Sequence, residues 1–166
     1  MNPSIEEFAS PNGSGVVTLT YEGEIRFGPP YFTLRINGKL LAERMFGETV
    51  LWSPDSQYFA AQEWLTTSEA DGPQTSLVCF QPTTGQQCKV SGIRGGFIKP
   101  KEFVGEKLIY TKELYSNGHY QTTEYEIEFK SLPRWKRSNP ALKFAPFGRW
   151  DAPSARPLAI RWASGH

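Results

Sequence analysis

Residues 50–64, VLWSPDSQYFAAQEW, constrain the fold more than any other stretch of this chain. Ser53-Pro54-Asp55-Ser56 reads as a type I turn, because the proline ring presets φ at the second position and Asp tolerates the third. An apolar run ends at Trp52, and residues 57–65 follow with partial alternation of apolar and polar side chains, the period of a strand. The segment is therefore a tight turn between two strands of a sheet. No recognisable set of reacting groups comes with it, so function has to be argued indirectly.

The remaining punctuation extends the pattern. Fifteen Gly and thirteen Pro in 166 residues argue against long helices. Residues 15–27 read as one long strand, or as two with a break at Gly23. Asn37-Gly38 between the runs 31–36 and 39–45 is a strong hairpin signal, since a type I′ turn needs positive φ at both central residues. Residues 75–81 and 86–91 form a second hairpin around Pro82-Thr83-Thr84-Gly85. A four-residue turn there sets Gln81 opposite Gln86, Phe80 opposite Gln87 and Cys79 opposite Cys88. A third pair, residues 107–114 and 119–129, is joined at Ser116-Asn117-Gly118. Between these lie a polar loop at 66–74 and a loop at 92–100 with a short strand around Phe97-Ile98. Residues 1–14 read as a loose arm with one helical turn near Ile5 to Phe8, and 131–139 as basic and irregular. The tail 140–166 has enough apolar residues, among them Leu142, Phe144, Phe147, Trp150, Leu158, Ile160 and Trp162, to pack on the body. This length suits one domain. With 14% aromatic residues, large rings supply the core that a modest aliphatic content would not. Trp52, Tyr58, Phe59, Trp64, Leu77, Ile109 and Ile127 are its expected members.

Hairpin turns recur roughly 40–50 residues apart, at Asn37-Gly38, at Thr84-Gly85 and at residues 130–133, which is the spacing of four-stranded propeller repeats. The strand starts at Gly15, Gln57 and Lys107 keep a similar interval. The expected fold is all-β and antiparallel, with three blade-like four-stranded units over residues 15–139 forming a partial propeller. A β-sandwich is the alternative. Residues 52–60, WSPDSQYFA, resemble the W-S-P-D-G-x-x-[ILVF]-[AV] signature of TolB-like and WD-repeat propeller blades. Residues 76–90 look like the two outer strands of the same blade. Ser56 stands where that signature has Gly, and Ser-Pro-Asp occurs nowhere else in the chain. The resemblance implies a blade architecture and no particular activity. Closed propellers have at least four blades, so three units leave an open arc whose end strands invite another chain.

A net charge of +1 shows no nucleic-acid footprint across the chain. The N-terminus lacks the apolar run of a secretory signal, and no stretch approaches the ~20 apolar residues of a membrane span. The chain is read as cytoplasmic, with no nucleic-acid or membrane partner. Two cysteines make no disulfide framework, and with His119 and the terminal His166 they fall short of a metal site. There is no G-x-S-x-G elbow, and GIRGG at 92–96 lacks the Lys-Ser/Thr of a phosphate loop. No catalytic residue, cofactor or metal is therefore assigned. Glu124, Glu126 and Glu128 alternate with Tyr125, Ile127 and Phe129, which places three acids on one face of a strand. That stripe and the loop acids Glu69 and Asp71 are the candidate partner-binding residues. Arg134, Lys136 and Arg137 beside Trp135 form an opposite, basic patch. The expected function is non-enzymatic protein binding. In type the chain resembles the immunity proteins that bind and block a cognate bacterial toxin. A self-associating structural protein and a small hydrolase are the alternatives, and homo-oligomers fit the former.

Overall fold

A computed structural model describes residues 3–26, 28–133 and 135–137, and the backbone of residues 156–164. The protein is all-β. Its strands are β1 (Ile5–Ala9), β2 (Val16–Glu24), β3 (Pro30–Ile36), β4 (Lys39–Leu40), β5 (Met45–Trp52), β6 (Phe59–Thr66), β7 (Gln74–Gln81), β8 (Gln86–Arg94), β9 (Gly96–Val104), β10 (Lys107–Ser116), β11 (His119–Ile127), β12 (Lys136–Arg137) and β13 (Arg156–Ser164). Single 3-10 turns at Glu69–Asp71 and Phe129–Ser131 are the only helical elements among the described residues. Every strand pairing is antiparallel.

Among the described residues the strands form a nine-stranded open sheet, in the order β1-β2-β3-β5-β6-β7-β8-β12 with β4 beside β3, and a four-stranded sheet in the order β13-β11-β10-β9. The large sheet narrows in its middle, where the single pair Phe32–Phe46 joins β3 to β5. It curls there, and its two halves pack face to face. Val17, Leu19, Phe32 and Leu34 of β2 and β3 share one buried cluster with Phe59, Ala61, Val78 and Phe80 of β6 and β7. The other face of β6 to β8 presents Ala60, Leu77, Cys79, Cys88 and Val90 to Ile98, Leu108, Tyr110 and Ile127 of the small sheet. The half built from β5 to β8 is thus a middle layer with apolar packing on both sides. Strand β6 accordingly has seven consecutive buried residues, where half-exposed strands alternate. Each fully buried large side chain contributes about 1.5–3 kcal/mol.

Two polar side chains of the middle layer clamp the small sheet. Gln62 donates to the carbonyl of Ile98 at 2.8 Å, while the Thr75 hydroxyl accepts from the Ile98 N–H at 3.0 Å and donates to the Gly96 carbonyl at 3.2 Å. The outward backbone groups of Ile98 and the carbonyl of Gly96, at the start of β9, are thereby satisfied by side chains. Gly47 makes room for this clamp, because a Cβ there would overlap the Gln62 side-chain amide.

Several expectations need correction. Residues 5–9 are a strand and not a loose arm with a helical turn, because they pair with β2 through the backbone groups of alternate residues. Residues 92–100 are no loop. They are the end of β8 and the start of β9, turned at Gly95 with φ 78°. Residues 130–133 form no hairpin, since the 3-10 turn there sends the chain back to β12 at the edge of β8. In the core, Phe59, Trp64, Leu77 and Ile127 are buried. Trp52, Tyr58 and Ile109 are only half-buried. Ile109 pairs with Glu126, on the face of the small sheet turned away from the core. The facing of Cys79 and Cys88 holds, and both are buried, unbridged thiols. Burial, and then the neighbouring Cys88, push the Cys79 thiol well above its ordinary value. Of the tail, residues 140–155 lie outside the described residues, and β13 pairs along β11. No helix of the described residues is long and apolar enough to cross a membrane.

Candidate functional site

The Ser-Pro-Asp turn builds a small hydrogen-bond network between β5 and β6. The Ser53 hydroxyl donates to the Asp55 carboxylate at 2.6 Å and accepts from the Tyr58 N–H at 3.0 Å, and Asp55 also accepts from the Gln57 N–H at 3.0 Å. The Ser56 N–H closes the turn on the Ser53 carbonyl, and Ser53 N–H reaches the Tyr58 carbonyl. Burial opposes the Asp55 charge, but Ser53, the Gln57 N–H and Lys130, 3.5 Å away, together hold its carboxyl below the ordinary carboxylate range.

The same network exists a second time between β1 and β2. The Ser10 hydroxyl donates to the Asn12 side-chain oxygen at 3.1 Å and accepts from the Gly15 N–H at 3.0 Å, and Asn12 accepts from the Ser14 N–H at 2.9 Å. Gly13 N–H closes on the Ser10 carbonyl, and Ser10 N–H reaches the Gly15 carbonyl. Gly13 and Ser56 occupy equivalent positions, with φ of 72° and 62°. Sequence reading missed this copy because it searched for Ser-Pro-Asp. Ser10-Pro11-Asn12-Gly13 was the available signal, since Asn and Asp offer the same acceptor oxygen to the backbone. The two turns touch. The Asn12 N–H donates to the Ser56 hydroxyl at 3.0 Å, and the Trp52 indole N–H donates to the Phe8 carbonyl at 2.8 Å.

Fixed in this way, β1 presents an open edge. The Ser10–Gly15 and Ser4–Tyr21 hydrogen bonds set the alternation, so that residues 4, 6, 8 and 10 point their backbone groups at β2. Ile5, Glu7 and Ala9 point theirs outward, and no strand among the described residues pairs with that side. Ile5 is 58% exposed. An exposed strand edge with an apolar side chain is a template for another chain.

The expected acidic sites are scattered. Glu124 is engaged by Lys101, Glu126 lies 3.0 Å from Lys107, and the neighbouring Glu113 lies 3.9 Å from Lys99. The stripe is a ladder of opposite charges, and β13 runs beside it. Glu128 is exposed just past the end of β11. Glu69 and Asp71 sit in an exposed 3-10 turn on a different part of the fold, where Glu69 accepts from the Arg26 N–H at 2.9 Å. The five acids therefore do not make one surface. In the basic patch, the Trp135 indole donates to the Phe129 carbonyl and its ring packs edge-on against Tyr58, so that ring is structural.

One buried charge cluster went unread in the sequence. Arg44 forks onto Glu63 at 2.7 and 2.8 Å, donates to Gln87 at 2.6 Å, and rests on Phe46 and Phe80. Burial, together with Arg44 and Lys136, lowers the Lys89 ammonium from its ordinary value despite the pull of Glu63. The fork satisfies the charges internally, and its chemistry is that of an inter-strand tie. Among the described residues no three His, Cys, Asp or Glu side chains converge as metal ligands would. Set against known protein families, curated proteins and solved structures, the chain matches none.

Proposed function

We propose that this protein is a binding module that acts by occupying another protein, in the manner of an immunity protein blocking a toxin, with no turnover of its own. The observation that carries the reading is the open edge of β1. Its outward N–H and C=O groups at Ile5, Glu7 and Ala9 fit the addition of a strand from a partner, which gives affinity through the main chain. The same reading takes the fold as three blade-like units of a partial propeller: β1 to β4, β5 to β8, and β9 to β11 with β13. Its supports are the stacking on both faces of the middle layer and the repeated turn network. An incomplete arc has a natural need of a partner at its first strand.

Self-association through the same edge is the second reading. Glu7 weighs against it, because antiparallel pairing of two copies centred on Glu7 sets the two Glu7 side chains opposite each other.

The test uses Glu7→Pro. Proline removes only an outward N–H, so the β1–β2 bonds survive and edge-strand proline is tolerated. Titrated against the product of the adjacent gene, the wild type binds and the variant loses at least about tenfold, roughly 1.4 kcal/mol. Equal affinities remove β1 from the interface. Absence of binding by both removes the immunity reading.

A further inference from the structure

The first and second halves of the large sheet each end in a hairpin turn, Asn37-Gly38 and residues 82–85, and a groove lies between the two. Its volume is about 190 Å³. That is below the ~300 Å³ at which pockets begin to hold cofactors and drug-sized ligands, and it suits a single large side chain. The floor is Leu41 and Phe80, 7% and 1% exposed. Ile36, Leu40 and Pro82 form the walls, and Leu40 remains 39% exposed there. The floor is held in place before anything binds. Phe80 stacks on Phe59 with ring centroids 4.8 Å apart, and the Arg44 guanidinium lies 5.4 Å from the Phe80 ring. An anchor entering a preformed pocket avoids the ordering cost that weakens most contacts.

Charge on the rim has one sign. Lys39 lines the groove and is exposed. Strand β12 pairs Lys136 with Gln87, which itself lies opposite Phe80, so a further exposed cation stands on the Phe80 face of β8 beside the lining residue Gln86. Among the described residues no carboxylate lines the groove.

We propose that this groove receives one large apolar side chain, aromatic or leucine-like, carried on an acidic segment of a partner protein. The proposal rests on the reading of the chain as a binding module and names the partner's chemistry. It does not depend on β1. The apolar anchor supplies affinity by filling the pocket, and flanking carboxylates facing Lys39 and Lys136 supply orientation and rate of encounter. The lysine-neutralised ladder at Glu124 and Glu126 offers no comparable field, so the groove, and not that stripe, selects the partner's charge.

The experiment is a titration of the full chain, 15N-labelled, with capped peptides Asp-Glu-Phe-Glu-Asp, Asp-Glu-Gly-Glu-Asp and Lys-Arg-Phe-Arg-Lys, up to about 10 mM each. The acidic Phe peptide is expected to shift the amides of Leu40, Leu41, Phe80 and Gln86 saturably. The Gly-centred and basic peptides should bind at least about tenfold more weakly. Leu40→Asp, at an exposed wall position, should abolish the shifts. Lys39→Glu should weaken binding several-fold and flatten its salt dependence. No groove shifts with the acidic Phe peptide, equal binding of the Gly peptide, or unchanged binding to Leu40→Asp each overturns the proposal. Glu7→Pro should bind the peptide as wild type does. A protein that binds its partner through β1 but shows no groove shifts sinks this inference alone and leaves the binding function standing.

Discussion

The turns at residues 10–15 and 53–58 make the same hydrogen bonds with different residues, and their differences follow from where each sits. The first ends in Gly13, borders the open edge, and uses a neutral Asn12. The second ends in Ser56, sits at the middle layer, and uses Asp55, which faces Lys130 across the 3-10 turn after β11. Ser56 accepts the left-handed conformation at some cost, and its hydroxyl recovers part of it by receiving the Asn12 N–H. The repeated element is thus a pattern of donors and acceptors. Its residues have diverged according to what each copy must touch.

Five substitutions probe that comparison, from the largest expected effect to the smallest. Ser53→Ala leaves the Tyr58 N–H and the Asp55 carboxylate without their shared partner at a site 2% exposed. It should cost about 1–3 kcal/mol in urea denaturation, and more than Ser10→Ala, whose turn lies at the sheet edge. Equal losses would show that the middle-layer position adds nothing. Gly13→Ala meets no atom within 4 Å of its new Cβ, so only the left-handed backbone resists it. A loss of about 1–2 kcal/mol is expected, and a neutral result would show that the turn relaxes. Ser56→Gly relieves the equivalent strain but gives up the hydrogen bond from Asn12, so the two terms partly offset and the net change should be at most about 1 kcal/mol in either direction. A clear stabilisation would mean that the contact between turns is weak.

The smallest effect is expected from Asp55→Asn, which makes the second turn chemically like the first. Asp55 and Lys130 are both partly exposed, so solvent screening holds their pairing to under about 1 kcal/mol. The folded-state value of Asp55 is depressed, so its contribution is present above the ordinary Asp value of 3.8 and is lost as pH falls through the lower folded value. Stability of wild type against the Asn variant, compared between pH 6 and pH 2, should converge at the acid end. Curves that stay parallel would show that Asp55 does not titrate differently on folding.

Local chemistry was readable where a few consecutive residues decide the outcome. Ser53-Pro54-Asp55, Asn37-Gly38 and residues 82–85 specify their turns locally, and the length of the last sets Cys79 opposite Cys88. The second copy at Ser10-Pro11-Asn12-Gly13 was equally local, and was passed over because Asn and Gly replaced Asp and Ser. The candidate site fared differently. The alternation held for Glu124 and Glu126 on β11 but not for Glu128, which lies past the strand end, and Lys101 and Lys107, which neutralise the first two, arrive from neighbouring positions set by sheet register.

The division has a physical basis. Turn type, strand period and antiparallel class depend on steric and hydrogen-bond preferences within a few residues, and these the chain itself determined. Which strand ends a sheet, which face is covered twice, and which charges meet depend on contacts between residues far apart, and tertiary structure alone decided them. The buried fork of Arg44 onto Glu63 and Gln87 shows this most plainly. Its three residues come from different parts of the chain and carry no shared motif, and only the packing of the middle layer makes them partners. The place of β1 at the end of the sheet, among the described residues, is the same kind of fact, because a strand is an edge only by virtue of what does not pair with it.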